Sequence, residues 1–458
     1  MAKVRVLLGA GLLETKDVIK ISCSLKTSKI VAVIYDDEWG LWRRLKNFQV
    51  TFEGAVTIKL SSLLETPKYG PNLVSIRDLS RVILADPNAL LIAERLRMGG
   101  YFASYSKRVF LIESLIINAV SLIEELKIEK FVQTNIPHGY DWYLAKVFEH
   151  LGLAVYYTRV CLPIPRVQLI HGLNNPSILE VSSHPGDLDA SNLAKSIIEG
   201  YKGSYKDVLP NYEKEIIRRR GVGMVSLRSV INDIRSANSL LKLIWIFRST
   251  ADRYLAYKNY RKVISVPTSS SPVVKFFLHY QPEATTIPAG GWYAVQHNAI
   301  RELGRFARNL FQLAIREHPN TFRQPFDRRF RWPNFHRYLV DRSDIIALDV
   351  ENDVFEELKG CAAVATITGA IGFEAICRGV PCLIFSNTFY EQLEGVILVE
   401  KGGVSQDTIN MLLSKQVDQN LLMASLKKLL SHSFEYETRI NGSLPALVYL
   451  CEQVNDSC

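Results

Sequence analysis

The sequence predicts an α/β protein of two Rossmann-like domains facing a cleft, with a helical region inserted in the first or bridging the two. Short apolar strand patterns alternate with helical patterns in two separate sets, within 3–157 and 273–385. Such alternation implies parallel sheets joined by right-handed crossovers. Between the sets, residues 174–262 lose the strand patterns and read as helices. The stretch 366–385 reads as strand, tight turn, helix, turn and strand, which is one crossover unit of a parallel sheet.

A chain of 458 residues has room for two or three domains. At 48% hydrophobic and 22% charged residues it can bury large cores and is not disordered. The net charge of +9, from 55 basic and 46 acidic residues, suits an anionic substrate, an anionic membrane surface or nucleic acid without choosing among them. Seven scattered cysteines without CxxC spacing suit reduced thiols in the cytoplasm and no zinc site. The opening MAKVRVLLG reads as a first strand rather than a leader peptide. No apolar run reaches the roughly 18–20 residues of a membrane-spanning helix.

In the first set, 3–8 and 29–35 (KIVAVIY) are strands, and Asp36, Asp37 and Glu38 follow the second. Acids at a strand end can bind a metal or act as a base, and a solvated loop is the plainer alternative. Residues 110–126 have helical spacing, 130–133 (KFVQ) is a strand, and 152–157 is the next. Asn135, His138 and Asp141 lie just past 130–133, where open α/β sheets place their ligands. His138 and Asp141 then share the start of a helix, as a catalytic pair or as capping residues.

Helices are expected over 188–201, 210–220, 226–238 and 239–260, and His184 lies in a loop. Arg218 to Arg220, with the run LLKLIWIF at 240–247 and Arg248 beyond, put basic and apolar surface together. That surface fits either an anionic membrane or packing in a core. A linker at 268–272 sets domains at 1–265 and 266–433, with 434–458 packing back on the first.

In the second set the strands are 273–278, 310–316, 345–348, 362–366 and 381–385, with helices at 292–307 and 354–359. If they run parallel, four loops rim one crevice at their carboxyl ends: 281–286, 317–319, 366–372 and 386–390. Gly369 and Gly372 flank a helix start with Thr368 as the expected N-cap, a turn that lets a phosphate approach backbone N–H groups. Glu374 suits a ribose diol. His318, Pro319, Gln281, Asn387, Phe389 and Tyr390 line the same rim, and Arg316 and Arg323 add positive charge. The set suits an activated nucleotide whose leaving phosphate is neutralised without an obligatory metal ion or other cofactor.

The runs FFLHYQPEATTIPAGGWYAVQ (276–296), EHP (317–319) and ITGAIGFEAICRGVPCLIFSNTFYEQLEGV (367–396) resemble the bacterial capsule polysaccharide biosynthesis family, which includes Kdo transferases. TNIPHGYDWYLAKVFEHLG (134–152) is similar to its N-terminal counterpart. The resemblance covers the second domain and patches of the first, and none of the helical region. It implies a GT-B fold and transfer of a sugar from a nucleotide donor. The chain is similar also to bacterial sialyltransferases of GT-B type, in which an HP pair holds the CMP phosphate. On that analogy His318 binds the phosphate, Thr368 and Gly369 sit beside it, and Glu374 grips the ribose. The donor is then a CMP-activated ulosonic acid such as Kdo or a nonulosonic acid, and the acceptor a surface polysaccharide or glycolipid. Asp141 is the first choice for base or nucleophile, with His138 beside it, and Glu283 is the second.

Two other readings share the scaffold. One is a nucleotide-sugar 2-epimerase, which consumes a UDP-sugar without an acceptor. The other is a non-catalytic subunit that binds polysaccharide or recruits export machinery. The expected partners are a nucleotide sugar and a saccharide or glycolipid, with no nucleic acid. The expected place is the cytoplasm, with peripheral contact to the inner membrane open.

Overall fold

The computed structural model describes residues 3–9, 13, 15–35, 55–65, 73–100, 103–135, 137–181, 190–203, 227–235, 239–267, 271–283, 285–339, 345–437 and 442–453. The acid cluster Asp36 to Glu38, His184, the expected helix at 210–220 with Arg218 to Arg220, and most of the linker at 268–272 lie outside them.

The chain forms two compact units, Met1–Asp187 with Leu429–Cys458, and Leu188–Lys428. The first holds strands β1 (Val4–Gly9), β2 (Ser28–Tyr35), β3 (Val56–Lys59), β4 (Lys130–Gln133), β5 (Ala154–Val160), β6 (Arg166–His171) and β7 (Ser177–Ile178). Its sheet runs Phe434–Glu435, β6, β5, β4, β1, β2, β3, and β7 pairs with β6. Strands β5 to β3 along that path are parallel, while β6 is antiparallel to β5. Central β1 shows why: Val6, Leu7 and Leu8 are buried, the near-continuous apolar run of a parallel strand covered on both faces.

The C-terminal helix Leu444–Glu452 covers this sheet and buries Ala446, Leu447, Leu450 and Cys451 against Val6, Leu8 and Val132. Its end is latched on two sides. Buried Lys130 donates to the carbonyls of Cys451 and Gln453, and the Glu452 carboxylate accepts from the N–H groups of Lys26 (2.6 Å) and Thr27 (2.9 Å). A cation at a helix C-terminus meets the carbonyls that the helix leaves unpaired.

The second unit holds β8 (Val273–Phe277), β9 (Gln312–Arg316), β10 (Ile345–Ala347), β11 (Ala363–Thr366), β12 (Cys382–Ile384) and β13 (Val396–Leu398). Its sheet runs β10, β9, β8, β11, β12, β13, every pair parallel. Chain order reverses between β8 and β11, and ligands of open α/β sheets bind outside the strand ends at such a reversal. The expected helix at 292–307 is a short 3-10 turn, Gly291–Ala294, followed by a helix at His297–Leu310.

The helical region departs from expectation. It belongs with the second unit, so the division falls at 187/188 and not near 265. The reason is apolar packing. In the helix Ala190–Lys202, Tyr201 meets Phe373 edge-on at 5.4 Å, and Arg378 donates to the Tyr201 carbonyl at 2.5 Å. In the helix Leu240–Arg261, Ala256 and Tyr260 are buried with Phe322, Phe326 and Ala347. Together the two sheets make an α/β chain of two Rossmann-like units.

Candidate functional site

Two residues past β8, buried His279 faces the end of β11. Its Nε2 accepts the Thr368 N–H at 3.2 Å and lies 3.2 Å from Thr366 Oγ1. A backbone N–H only donates, so the imidazole proton sits on Nδ1, which points to Glu283 Oε2 at 3.5 Å. Burial acts to raise the Glu283 carboxyl, but the hydrogen bond from His279 acts against it, and the group is held below the ordinary carboxylate range. Glu283 is thus an anion that orients His279. His279 carries no role in the sequence reading, although FFLHYQ places it directly after a strand.

The loop after β9 is set by Glu317, whose side chain is fully buried. His336 Nε2 lies 2.6 Å from Oε2, Arg331 Nε lies 3.2 Å from the same oxygen, and Oε1 accepts Thr321 Oγ1 (3.1 Å) and the His318 N–H (2.8 Å). Arg331 also donates to the His279 carbonyl at 3.0 Å. One carboxylate therefore ties together the loops that carry His279 and His318. Half-buried His318 accepts the Asn320 N–H on Nδ1 (3.1 Å), which leaves the proton on Nε2. Its ring centre is 6.4 Å from that of Tyr280.

This carboxylate makes the unit acid-sensitive. Burial alone would raise the Glu317 carboxyl; the Arg331 charge, the His336 bond and the His318 N–H hold it down at about 2. A depressed carboxyl adds stability above its ordinary value of 4.5 and loses it as pH falls toward 2. The melting temperature is expected to drop across that window, and Glu317→Gln to flatten the drop.

The helix Ala370–Cys377 has Gly369, and not Thr368, as its N-cap. The Gly369 N–H bonds Thr366 Oγ1 at 3.3 Å, while Thr368 Oγ1 donates to the Thr285 carbonyl at 2.8 Å. A Cβ on Gly369 would lie 2.7 Å from Thr366 Oγ1 and 3.4 Å from the His279 ring, so the close approach demands glycine. The first-turn N–H groups of Ala370 and Ile371 have no acceptor within the helix. Gly372 serves packing and not a phosphate: a Cβ there would meet Cys382 Sγ at 2.7 Å and collide with the Tyr390 hydroxyl.

Two expected donor residues are placed differently. Tyr390 is fully buried, and its hydroxyl donates to the Gly369 carbonyl, so it props the turn from behind. Arg316 is buried and donates to the carbonyls of Val350 (3.1 Å) and Asn352 (2.6 Å), which takes its charge inside the fold. Glu374 is buried within the helix Ala370–Cys377. Gln281 is buried and its amide donates to Thr286 Oγ1 at 2.8 Å, while its Oε1 has no partner among the described residues. Pro319 caps the short helix Asn320–Arg323, and Asn387 is half-buried after β12.

The first unit reverses chain order between β1 and β4. Here the Asp141 carboxylate is fixed by the Gln133 amide on Oδ2 (2.8 Å) and the Gly139 N–H on Oδ1 (2.6 Å). Gln133 occupies the space that a side chain at Gly9 would need. His138 is half-buried, and its carbonyl accepts from Arg95. Asn135 is half-buried on the same loop.

No protein-family model matches the chain, and no curated protein matches its sequence. Among solved structures it is similar to the beta Kdo 2,7 transferase KpsC of Thermosulfurimonas dismutans, at 11% identity over 79% of this chain and 95% of that one, with a TM-score of 0.30. It is similar also to the UDP-GlcNAc 2-epimerase of Methanocaldococcus jannaschii, at 12% over 93% and 98%, with a TM-score of 0.26. A family 9 glycosyl transferase of Veillonella parvula stands at 10% over 94% and 96%, with a TM-score of 0.23. At these identities their names assign no substrate to this chain.

Proposed function

We propose that the protein is a glycosyltransferase that takes its sugar from a nucleotide donor, a CMP-activated ulosonic acid by preference. The observation that carries this reading is the β8/β11 reversal, where His279 holds the turn that opens at Ala370 and Ile371, with His318 in the loop after neighbouring β9. His318 Nε2–H and the two backbone N–H groups are donors for the phosphate that leaves. Oriented donors of this kind stabilise charge as it develops, the role a metal ion plays elsewhere. His279, held by Glu283 and Thr368, fixes the turn that presents them. Glu374 on the ribose remains part of the proposal through the family resemblance.

Asp141 is the acceptor-side base in this reading. It takes the proton of an acceptor hydroxyl, whose oxygen forms the new bond to the anomeric carbon. The bond from that carbon to the phosphate oxygen breaks, and its electron pair leaves with the nucleotide. Such a single displacement inverts the anomeric centre.

The test is a thermal-shift panel of CMP, UDP, GDP and their sugars, because a ligand that binds only the native state raises its melting temperature. CMP and its sugars are expected to give the largest shift. His318→Ala is expected to weaken CMP binding by roughly tenfold or more, the worth of a charge-assisted hydrogen bond. No nucleotide shift at all would contradict the reading. Turnover of UDP-GlcNAc without an acceptor would replace it with an epimerase.

A further inference from the structure

No helix among the described residues is long and apolar enough to cross a membrane. The helix Leu240–Arg261 nonetheless carries apolar surface in a pattern that packing does not explain. Its inner face buries Ile246, Ser249, Asp252, Arg253, Ala256 and Tyr260 within the second unit. Its outer face presents Leu240, Ile244, Phe247, Tyr254 and Leu255, from 44% exposed at Leu255 to 73% at Leu240. Steps of four, three and seven residues put Leu240, Ile244, Phe247 and Tyr254 in one stripe down the helix, with Leu255 on its flank. Leu241, beside the stripe, is 56% exposed.

Among the described residues the exposed charges on the helix itself are basic, while the acids near its C-terminal end are engaged: Glu351 accepts from Tyr257 at 2.8 Å. Arg248 and Lys258 are exposed beside it, and Lys242 lies half-buried near its start. The helix has one acid, Asp252, and that is buried and bonded to Arg328. On the neighbouring helix Leu227–Arg235, Ile231 and Arg235 are exposed, and Asp233 is buried against Arg253. Arg261, at the helix end, pairs with Asp349 at 3.4 Å.

We propose that this face docks on an anionic lipid surface, with the apolar stripe at the boundary of headgroups and acyl chains and the cations on lipid phosphates. Amphipathic helices with basic flanks bind bilayers in this way. A second copy of the chain fits less well, because a self-paired stripe would set Arg248 and Lys258 against their own equivalents. The proposal does not rest on the catalytic reading, and its test reads lipid binding alone.

The experiment is sedimentation of the full chain with phosphatidylcholine vesicles, with and without phosphatidylglycerol. The expected result is binding to the anionic vesicles only, weakened by salt. Leu240→Ser/Ile244→Ser/Phe247→Ser is expected to lower that binding by roughly tenfold or more. The three side chains are exposed, so the melting temperature should stay unchanged. Arg248→Glu/Lys258→Glu is expected to remove the preference for anionic lipid. Absence of wild-type binding to anionic vesicles would overturn the proposal, as would equal binding by the serine variant. A dimer that the serine variant splits, without vesicle binding, would assign the face to a second copy instead.

Discussion

Glu317→Ala is expected to lower the stability of the second unit by about 3–5 kcal/mol, the usual penalty for stranding one charge of a buried pair. The carboxylate and Arg331 are both buried, at 0% and 3% side-chain exposure, so water cannot take over for the lost partner. For a unit of this size each kcal/mol moves the melting temperature by about 2–4 °C, so the fall is on the order of 10 °C. The double variant Glu317→Leu/Arg331→Met is expected to recover only part of it: no charge is stranded, but His336, Thr321 and the His318 N–H still lose their acceptor. Glu356→Ala provides the contrast. Its partner Lys359 and Glu356 itself are 62% and 64% exposed, and the change is expected to stay within about 0.5 kcal/mol. Equal effects of Glu317→Ala and Glu356→Ala on melting would rule out the structural role given to Glu317. Because the His318 N–H and, through Arg331, the His279 carbonyl both depend on this carboxylate, the single variant should weaken nucleotide binding as well.

Asp141→Asn is expected to lower turnover by about 10²- to 10⁴-fold, the range for loss of a general base, and to leave nucleotide binding unchanged. The asparagine keeps the shape of the carboxylate: its Oδ1 can still accept the Gly139 N–H, and its Nδ2 can donate to the Gln133 Oε1 once that amide turns over, so the loss reports chemistry and not collapse of the loop. Gln133→Ala frees the carboxylate from one of its two tethers and should lower kcat less. Gly9→Ala should act in the same direction, since the new methyl would push the Gln133 amide away from Asp141. Full turnover by Asp141→Asn, with a donor and acceptor that the wild type uses, would remove Asp141 from the mechanism.

Much of the frame is readable from the sequence because buried parallel strands are short apolar runs. KIVAVIY, KFVQ and VVKFF each form a strand within a residue or two of the expected bounds. The turn at Gly369 and the helix behind it follow from glycine placement alone. Other features depend on partners far along the chain, which a local pattern does not carry. Arg316 reads as a cation at a strand end, and only the carbonyls of Val350 and Asn352 show that its charge is used internally. Tyr390 reads as part of the rim of the crevice, and only Gly372 and the Gly369 carbonyl show it as a buried prop. Glu317 sits in the EHP run, yet its partners Arg331 and His336 lie 14 and 19 residues further on, a separation that no local pattern announces. His279 was within reach: a histidine two residues past a central strand occupies the position where such sheets bind ligands. The helices at 190–202 and 240–261 were legible as helices. Their attachment to the second unit was not, because it depends on Tyr201 and Tyr260 finding aromatic neighbours.

The most direct measurement is a crystal structure of the protein soaked with CMP. The account predicts the nucleotide phosphate within hydrogen-bond distance of the Ala370 or Ile371 N–H groups, with the imidazole of His318 on the same phosphate. Nucleotide density at the β1/β4 edge of the first unit, or anywhere away from the turn at Gly369, would contradict it.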